Sequence, residues 1–250
     1  MKSINYSIRN VAFIDILGFS DLINKSGKHN TILKSIYESL TIMRDMKNII
    51  PENGVDELSP QVSVFSDNIV ISYINDNRES EFLLIRDCIF LYLSLLTKGI
   101  LLRGGITTGE LYHDENVVFG PALVKAYKIE SKFSIYPRIV VDDTNYYSEL
   151  NGSLYKRDFD GLVYIDPINN LDCVGKAFNE SPFEILSSIH DQIVNKELTN
   201  DLGIDSKLLW LKNYSNSCFK KEGNKIITLN KPQYLITPLG VKPYESKDFT

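Results

Sequence analysis

The chain has 250 residues, 43% of them hydrophobic and 24% charged, which is enough apolar side chain for a soluble globular protein with a sizeable core. A formal net charge of −5 excludes the basic footprint of a nucleic-acid binder or of a protein held on anionic lipid. An anionic substrate would then be met by bound cations and a few local basic groups.

The three cysteines, Cys88, Cys173 and Cys218, are widely spaced and match neither a zinc site nor a disulfide framework, so a cytoplasmic location is expected. No signal-peptide pattern opens the chain. Cys88 to Leu96, the most hydrophobic run, is too short for a bilayer, so no membrane partner is expected either.

In chain order, Val11-Ala12-Phe13-Ile14 reads as a buried strand ending at Asp15. Ile32, Leu33, Ile36, Leu40 and Met43 then fall at helical spacing, and turn formers and acids make 51–60 a loop. Val62, Val64 and Ile69-Val70-Ile71 flank Ser66-Asp67, the pattern of a hairpin with an acid at its tip. Glu79 to Leu96 is an apolar helix, and Leu101 to Gly109 a strand whose Gly104-Gly105 allow close backbone approach. Gly120 to Lys132 is a helix with proline in its first turn, and Arg138 to Val141 is a further strand. This order predicts an α+β fold with helices on one face of a mostly antiparallel sheet. Beyond it come a strand at 162–165, a helix opened by the capping box Ser181-Pro182-Phe183-Glu184, and a helix from Asp205 to Phe219 carrying Trp210.

The chemical signal is a pair of acids. Asp15 ends a buried strand, and Asp67 sits at a hairpin tip. If those strands are neighbours, both carboxylates emerge at one sheet edge, where they repel unless a cation lies between them. Magnesium suits such a site, because it takes few carboxylates and leaves room for phosphate oxygens. Each aspartate alone also has a plain reading as a strand-end or turn residue.

Four segments together resemble the catalytic domain of class III adenylyl and guanylyl cyclases. Phe13-Ile14-Asp15-Ile16-Leu17-Gly18-Phe19-Ser20 matches the F-x-D-I-x-G-F-[ST] element of that family. Asp67 matches its hairpin aspartate, with Ser66 where glycine is usual. Arg103-Gly104-Gly105-Ile106-Thr107-Thr108-Gly109 matches its R-x-G-I-x-x-G strand, and Gly120-Pro121-Ala122 opens its following helix. The resemblance implies a ferredoxin-like βαββαβ core and a head-to-tail homodimer with active sites at the interface. It also implies two Mg²⁺ or Mn²⁺ ions per site, held by Asp15, Asp67 and the Ile16 carbonyl. Arg103 would contact the terminal phosphates of a nucleoside triphosphate, and Phe19 would line the substrate.

Where purine cyclases carry base-reading and transition-state groups, this sequence has Ser63, Val117, Val124 and Lys128. Unpaired base-edge groups would then remove adenine selection, and Lys128 keeps a charge without the planar fork of arginine. These departures, with the run Phe119-Gly120-Pro121-Ala122-Leu123-Val124-Lys125-Ala126-Tyr127-Lys128-Ile129-Glu130 and the Trp210 helix, resemble the pyrimidine cyclases of bacterial Pycsar antiphage systems. That resemblance implies UTP or CTP as substrate, cyclic UMP or cyclic CMP as product, and a separate effector protein that senses it. It divides the chain into a catalytic core at 1–150, a C-terminal extension at 151–240 packed on the core, and a flexible tail at 241–250. A divergent purine cyclase and a catalytically degenerate nucleotide-binding regulatory domain remain as alternatives. Tyr127 and Glu130 also fit a simple dimer-facing helix. His29, His113 and His190 have no triad or metal spacing and are expected at the surface or in loops.

Overall fold

The computed structural model describes residues 4–49, 60–76, 78–142, 154–174, 178, 181–194, 196–219, 234–237 and 240–243. The expected loop at 51–60 falls outside them except for its last residue. Strand β1 (Ser7–Ile16) leads through α1 (Phe19–Ser26) and α2 (Asn30–Ile49) to the hairpin β2 (Gln61–Phe65) and β3 (Asn68–Ile74). Helix α3 (Arg78–Leu96) precedes β4 (Leu102–His113), short β5 (Val118–Phe119), α4 (Pro121–Phe133) and β6 (Ile139–Val141). Then follow β7 (Tyr155–Arg157), β8 (Val163–Ile165), a 3-10 turn (Ile168–Cys173), α5 (Pro182–Val194) and α6 (Leu202–Phe219). Strands β9 (Tyr234–Thr237) and β10 (Gly240–Pro243) form a separate antiparallel ladder, which the expected tail enters; 244–250 lie outside the described residues.

The main sheet runs β2-β3-β1-β4-β6-β8-β7, with β5 on β4, and β4–β6 is its parallel pair. Neighbours among the first four strands run antiparallel, so the hairpin β2–β3 and the strand β4 flank β1 as a βαββαβ core requires. The sheet does not stop at the end of that core, since β8 and β7 continue it from the later sequence. The α+β class and mostly antiparallel sheet are as expected from the sequence.

Pleating divides the sheet into two faces. Ala12, Ile14 and Ile16 of β1 join α2, α3 and the later helices in the main core. Val11 and Phe13 point the other way, onto Ala122 and Ala126 of α4. Helices therefore cover both faces, not one as expected. The cause is the small-residue stripe of α4 and Gly105, which pack where larger residues would not fit. Helix α3 is apolar nearly all round because β3, β1 and β4 lie on one side while α5 and the 3-10 turn lie on the other. Cys88 is wholly buried within it, as inert core. The capping box of α5 closes as read: Ser181 Oγ accepts from the Glu184 backbone N–H at 3.3 Å, and the Ser181 N–H donates back to Glu184 Oε2 at 2.8 Å.

Arg138 anchors the later helices to the sheet. Its guanidinium is fully buried, ion-paired with Asp158 and Asp160, and 5.9 Å from the Trp210 ring centroid. Trp210 Nε1 donates to the same Asp158 at 2.7 Å. Tyr214 donates to Asp166 at 2.6 Å and accepts from the Ile168 N–H at 3.1 Å. The aromatic faces and carboxylates hold Arg138 although its buried Nε has no hydrogen-bond partner, and Lys156 adds a second cation, 3.4 Å from Asp166 and 5.0 Å from the Tyr214 ring centroid.

A second buried charge sits inside the main core. Asp87 of α3 accepts from the Tyr73 hydroxyl of β3 and pairs with Arg86 at 3.0 Å. Burial pushes its pKa up to about 6, against the pull of Arg86. A carboxyl raised in the folded state holds a proton that the unfolded chain has released. Its contribution to stability therefore falls as pH rises from about 4 to about 6 and is flat above. Asp87→Asn should remove this dependence. Denaturant titrations of both proteins at pH 4 and pH 7 should show the difference between them moving in the mutant's favour by up to about 3 kcal/mol.

Candidate active site

Asp15 and Asp67 converge. Asp15 lies directly across from Asn68 on one side and Arg103 on the other. The Ile16 N–H donates to the Asp67 carbonyl at 3.1 Å, and the Leu17 N–H to the Leu101 carbonyl at 2.8 Å, tying the end of β1 between the hairpin tip and β4. Gly18 then turns the chain into α1 at a left-handed φ of 75°, which glycine adopts without cost. At the tip Ser66 has φ 57°, the conformation for which glycine would be the unstrained choice, so the departure seen in the sequence is real strain. Asn68 Nδ2 donates to Asp67 Oδ1 at 3.3 Å.

Arg103 is the cation already in place. Its Nε and Nη2 both donate to Asp15 Oδ2, at 3.2 and 3.1 Å. Glu130 of α4 brings Oε1 to 2.8 Å from Arg103 Nε, an ion contact outside hydrogen-bond geometry because that N–H is aimed at Asp15. Glu130 is only 2% exposed, although its spacing with Tyr127 suggested an outward-facing helix pattern. Burial pushes its carboxyl up to about 7, with Arg103 pulling down and Asp15 pushing up. Burial also raises Asp15; Arg103 opposes it, and nearby Asp67 adds to the rise by its charge and by a hydrogen bond. A carboxylate raised by its neighbour, with one arginine between two acids, marks a site short of positive charge.

Gly105 makes this contact possible. A Cβ there would lie 2.3 Å from the Ala126 carbonyl and 2.9 Å from the Glu130 nitrogen, so α4 rests directly on the β4 backbone. Gly104 is tight on the other face, where a Cβ would lie 2.9 Å from the Phe13 carbonyl.

The other residues picked from the sequence fall into two groups. Phe19 opens α1 and packs half-buried on the main core behind the acid pair. The Ile16 side chain is buried, which leaves only its backbone to serve the site. Ser63 of β2 is half-buried on the same face as Asp15, its Oγ 2.9 Å from His113 Nε2. Val117, Val124 and Lys128 are exposed, and Val124 and Lys128 share the outer face of α4. His113 is a correction: it is 8% exposed and bridges Ser63 and Ser72. The sequence signal missed was its place at the end of a long β4, which carries its ring back over β2 and β3. His29 is exposed as expected, and His190 is half-buried on α5.

Among the described residues no group of three or more His, Cys, Asp or Glu is set to hold a metal. Two close carboxylates with hard oxygen donors still fit Mg²⁺ or Mn²⁺, which are commonly held by one or two carboxylates plus substrate phosphates. No helix among the described residues is long and apolar enough to cross a membrane.

Gly105→Ala should lift α4 from β4 and cost about 1–3 kcal/mol by overpacking. Thermal unfolding and the loss of the Arg103–Glu130 contact in a mutant structure check it.

No family model matches the chain, and no curated protein sequence matches it. Among solved structures, two described as a bacterial light-regulated adenylyl cyclase align with it. One is 11% identical over 69% of this chain and 99% of its own length, with a TM-score of 0.44. The other is 12% identical over 76% of this chain and 58% of its own, with a TM-score of 0.45. Neither likeness is close enough to speak for a shared family or activity.

Proposed function

We propose that the chain is a metal-dependent nucleotide cyclase converting UTP or CTP into cyclic UMP or cyclic CMP, a second messenger of antiphage defence read by a separate effector protein. The observation that supports this is the meeting of Asp15 and Asp67 at one sheet edge beside Arg103. The ordered sequence elements around those residues support the same reading.

In this reaction the ribose 3′-oxygen attacks the α-phosphorus, the bond to the bridging oxygen breaks, pyrophosphate leaves, and the hydroxyl proton passes to solvent. Asp15, Asp67 and the Ile16 carbonyl would hold the divalent ions, which supply charge neutralisation and a more acidic hydroxyl. Arg103 is poised for the phosphates. Once Asp15 turns to a metal, Glu130 still holds the guanidinium and keeps its fork aimed along the site. Preorganised charge of this kind provides most of the acceleration in phosphoryl transfer.

Lys128 and Val124 reach a site only from a second copy, as in a head-to-tail homodimer. The exposed apolar side chains Val117, Phe119, Val124 and Tyr127 on this side of the molecule favour such burial.

Incubating the purified chain with ATP, GTP, UTP and CTP, with Mg²⁺ or Mn²⁺, should give a cyclic pyrimidine nucleotide by mass and one pyrophosphate per turnover. Asp67→Asn should lower turnover at least about a hundredfold with the fold intact. Undiminished turnover in that variant sinks the metal assignment, and no pyrophosphate from any triphosphate would leave a nucleotide-binding regulatory domain. For the dimer, Asp67→Asn mixed with Lys128→Ala should recover about a quarter of wild-type activity, since one site of each mixed dimer is intact. No recovery after subunit exchange argues for sites within one protomer.

A further inference from the structure

Both acids of the candidate site have a neighbour in common, Asn68. As the first residue of β3 it is the direct cross-strand partner of Asp15 on β1 and of Phe65 on β2. Directly opposed residues lie on one face of a sheet, so the Asn68 side chain stands on the face that carries Asp15. Its Nδ2 donates to Asp67 Oδ1 at 3.3 Å, and the residue is half-buried.

The two acids are held in different ways. Asp15 lies within a strand, and its Oδ2 takes two donors from Arg103. Asp67 lies outside both strands, at the hairpin tip behind the left-handed Ser66. The Ile16 N–H fixes the Asp67 carbonyl at 3.1 Å, a bond that leaves the side chain its rotamers. The Asn68 amide is what turns the carboxylate. An amide is a neutral donor, so it engages one oxygen without cancelling the charge that a cation needs. A lysine or arginine in its place would compete with that cation.

We propose that Asn68 is a positioning residue that sets ion selectivity: by holding Asp67 to one free oxygen, it favours Mg²⁺ or Mn²⁺ over Ca²⁺. This rests on the metal assignment of the cyclase reading above and deepens it. A carboxylate free to rotate offers a cation both oxygens. With Oδ1 on Asn68, Asp67 offers only Oδ2. Calcium takes about six to eight oxygens in flexible geometry and accepts carboxylates through both atoms. Magnesium is smaller, demands a near-octahedral shell and keeps several waters, so single oxygens suit it. Manganese shares its preference for six hard oxygens. On the cyclase reading Arg103 turns from Asp15 to the phosphates, so the hold on Asp67 is the one that remains with substrate bound.

Two measurements on the whole chain test this, both without nucleotide. Bound Mn²⁺ is read from the loss of its free EPR signal while Ca²⁺ is titrated in. Displacing half of the Mn²⁺ from the wild type should take at least about a tenfold excess of Ca²⁺. In Asn68→Leu, which keeps the size and loses the donor, that excess should fall about three- to tenfold at an unchanged unfolding temperature. A wild-type crystal soaked in Mn²⁺ should show Asp67 on the ion through one oxygen, with the Asn68 amide still on the other. This second measurement needs no variant, so it decides the matter if Asn68→Leu does not fold. Displacement at equal concentrations, an unchanged ratio in the folded variant, or two Asp67 oxygens on the ion overturns the proposal. A wild type that binds no Mn²⁺ removes the metal assignment and this selectivity together. Mn²⁺ bound with the expected selectivity, but no triphosphate cyclised, supports the role of Asn68 while the cyclase reading fails.

Discussion

The guanidinium of Arg103, shared between Asp15 and Glu130, is the contact around which the site is arranged. It joins the end of β1, the middle of the sheet and the inner face of α4, and each of those elements is placed by something different. Asp15 is placed by register, since it is the direct cross-strand partner of Arg103. Glu130 is placed by the absence of a side chain at Gly105, which lets a helix lie on bare backbone. A cation with fewer acids around it would be an ordinary strand arginine. Here the acids outnumber it, and burial raises both Asp15 and Glu130 even in its presence.

That imbalance fits the charge of the whole chain. A protein with net charge −5 does not draw a triphosphate by its general field. On the cyclase reading proposed above, opposing charges would be brought together locally, with metal ions between acids and phosphates and Arg103 moving from the former to the latter. On that reading Glu130 would keep the arginine oriented when Asp15 is otherwise engaged.

The pleat separates two jobs. One face of β1 and β3 is apolar apart from Asn10 and Tyr73, and it builds the main core with α2, α3 and the later helices. The other carries the polar groups of the candidate site, from Arg9 and His113 at one end to the acid pair at the other. Arg138 and Trp210 fix the later helices on a different part of the sheet and leave the polar face to α4.

Much of this was legible along the chain. Strand β1, the β2–β3 hairpin, α3 and the capping box of α5 carry their signals locally, as pleat alternation, turn residues and reciprocal caps act over a few residues. Asp15 and Asp67 stood out because each sits where a local element ends. Glu130 and His113 did not, because what makes them matter is contact with residues far away in sequence: Arg103 for one, Ser63 and Ser72 for the other. The sequence by itself determined the main strands and helices of the core and the acid pair, but not α1, β5, β7 or the β9–β10 ladder. Only tertiary structure decided that α4 covers the second face, that Glu130 turns inward and that a histidine ties two serines together. Those outcomes depend on sheet register and on the room above Gly105, which no local pattern records.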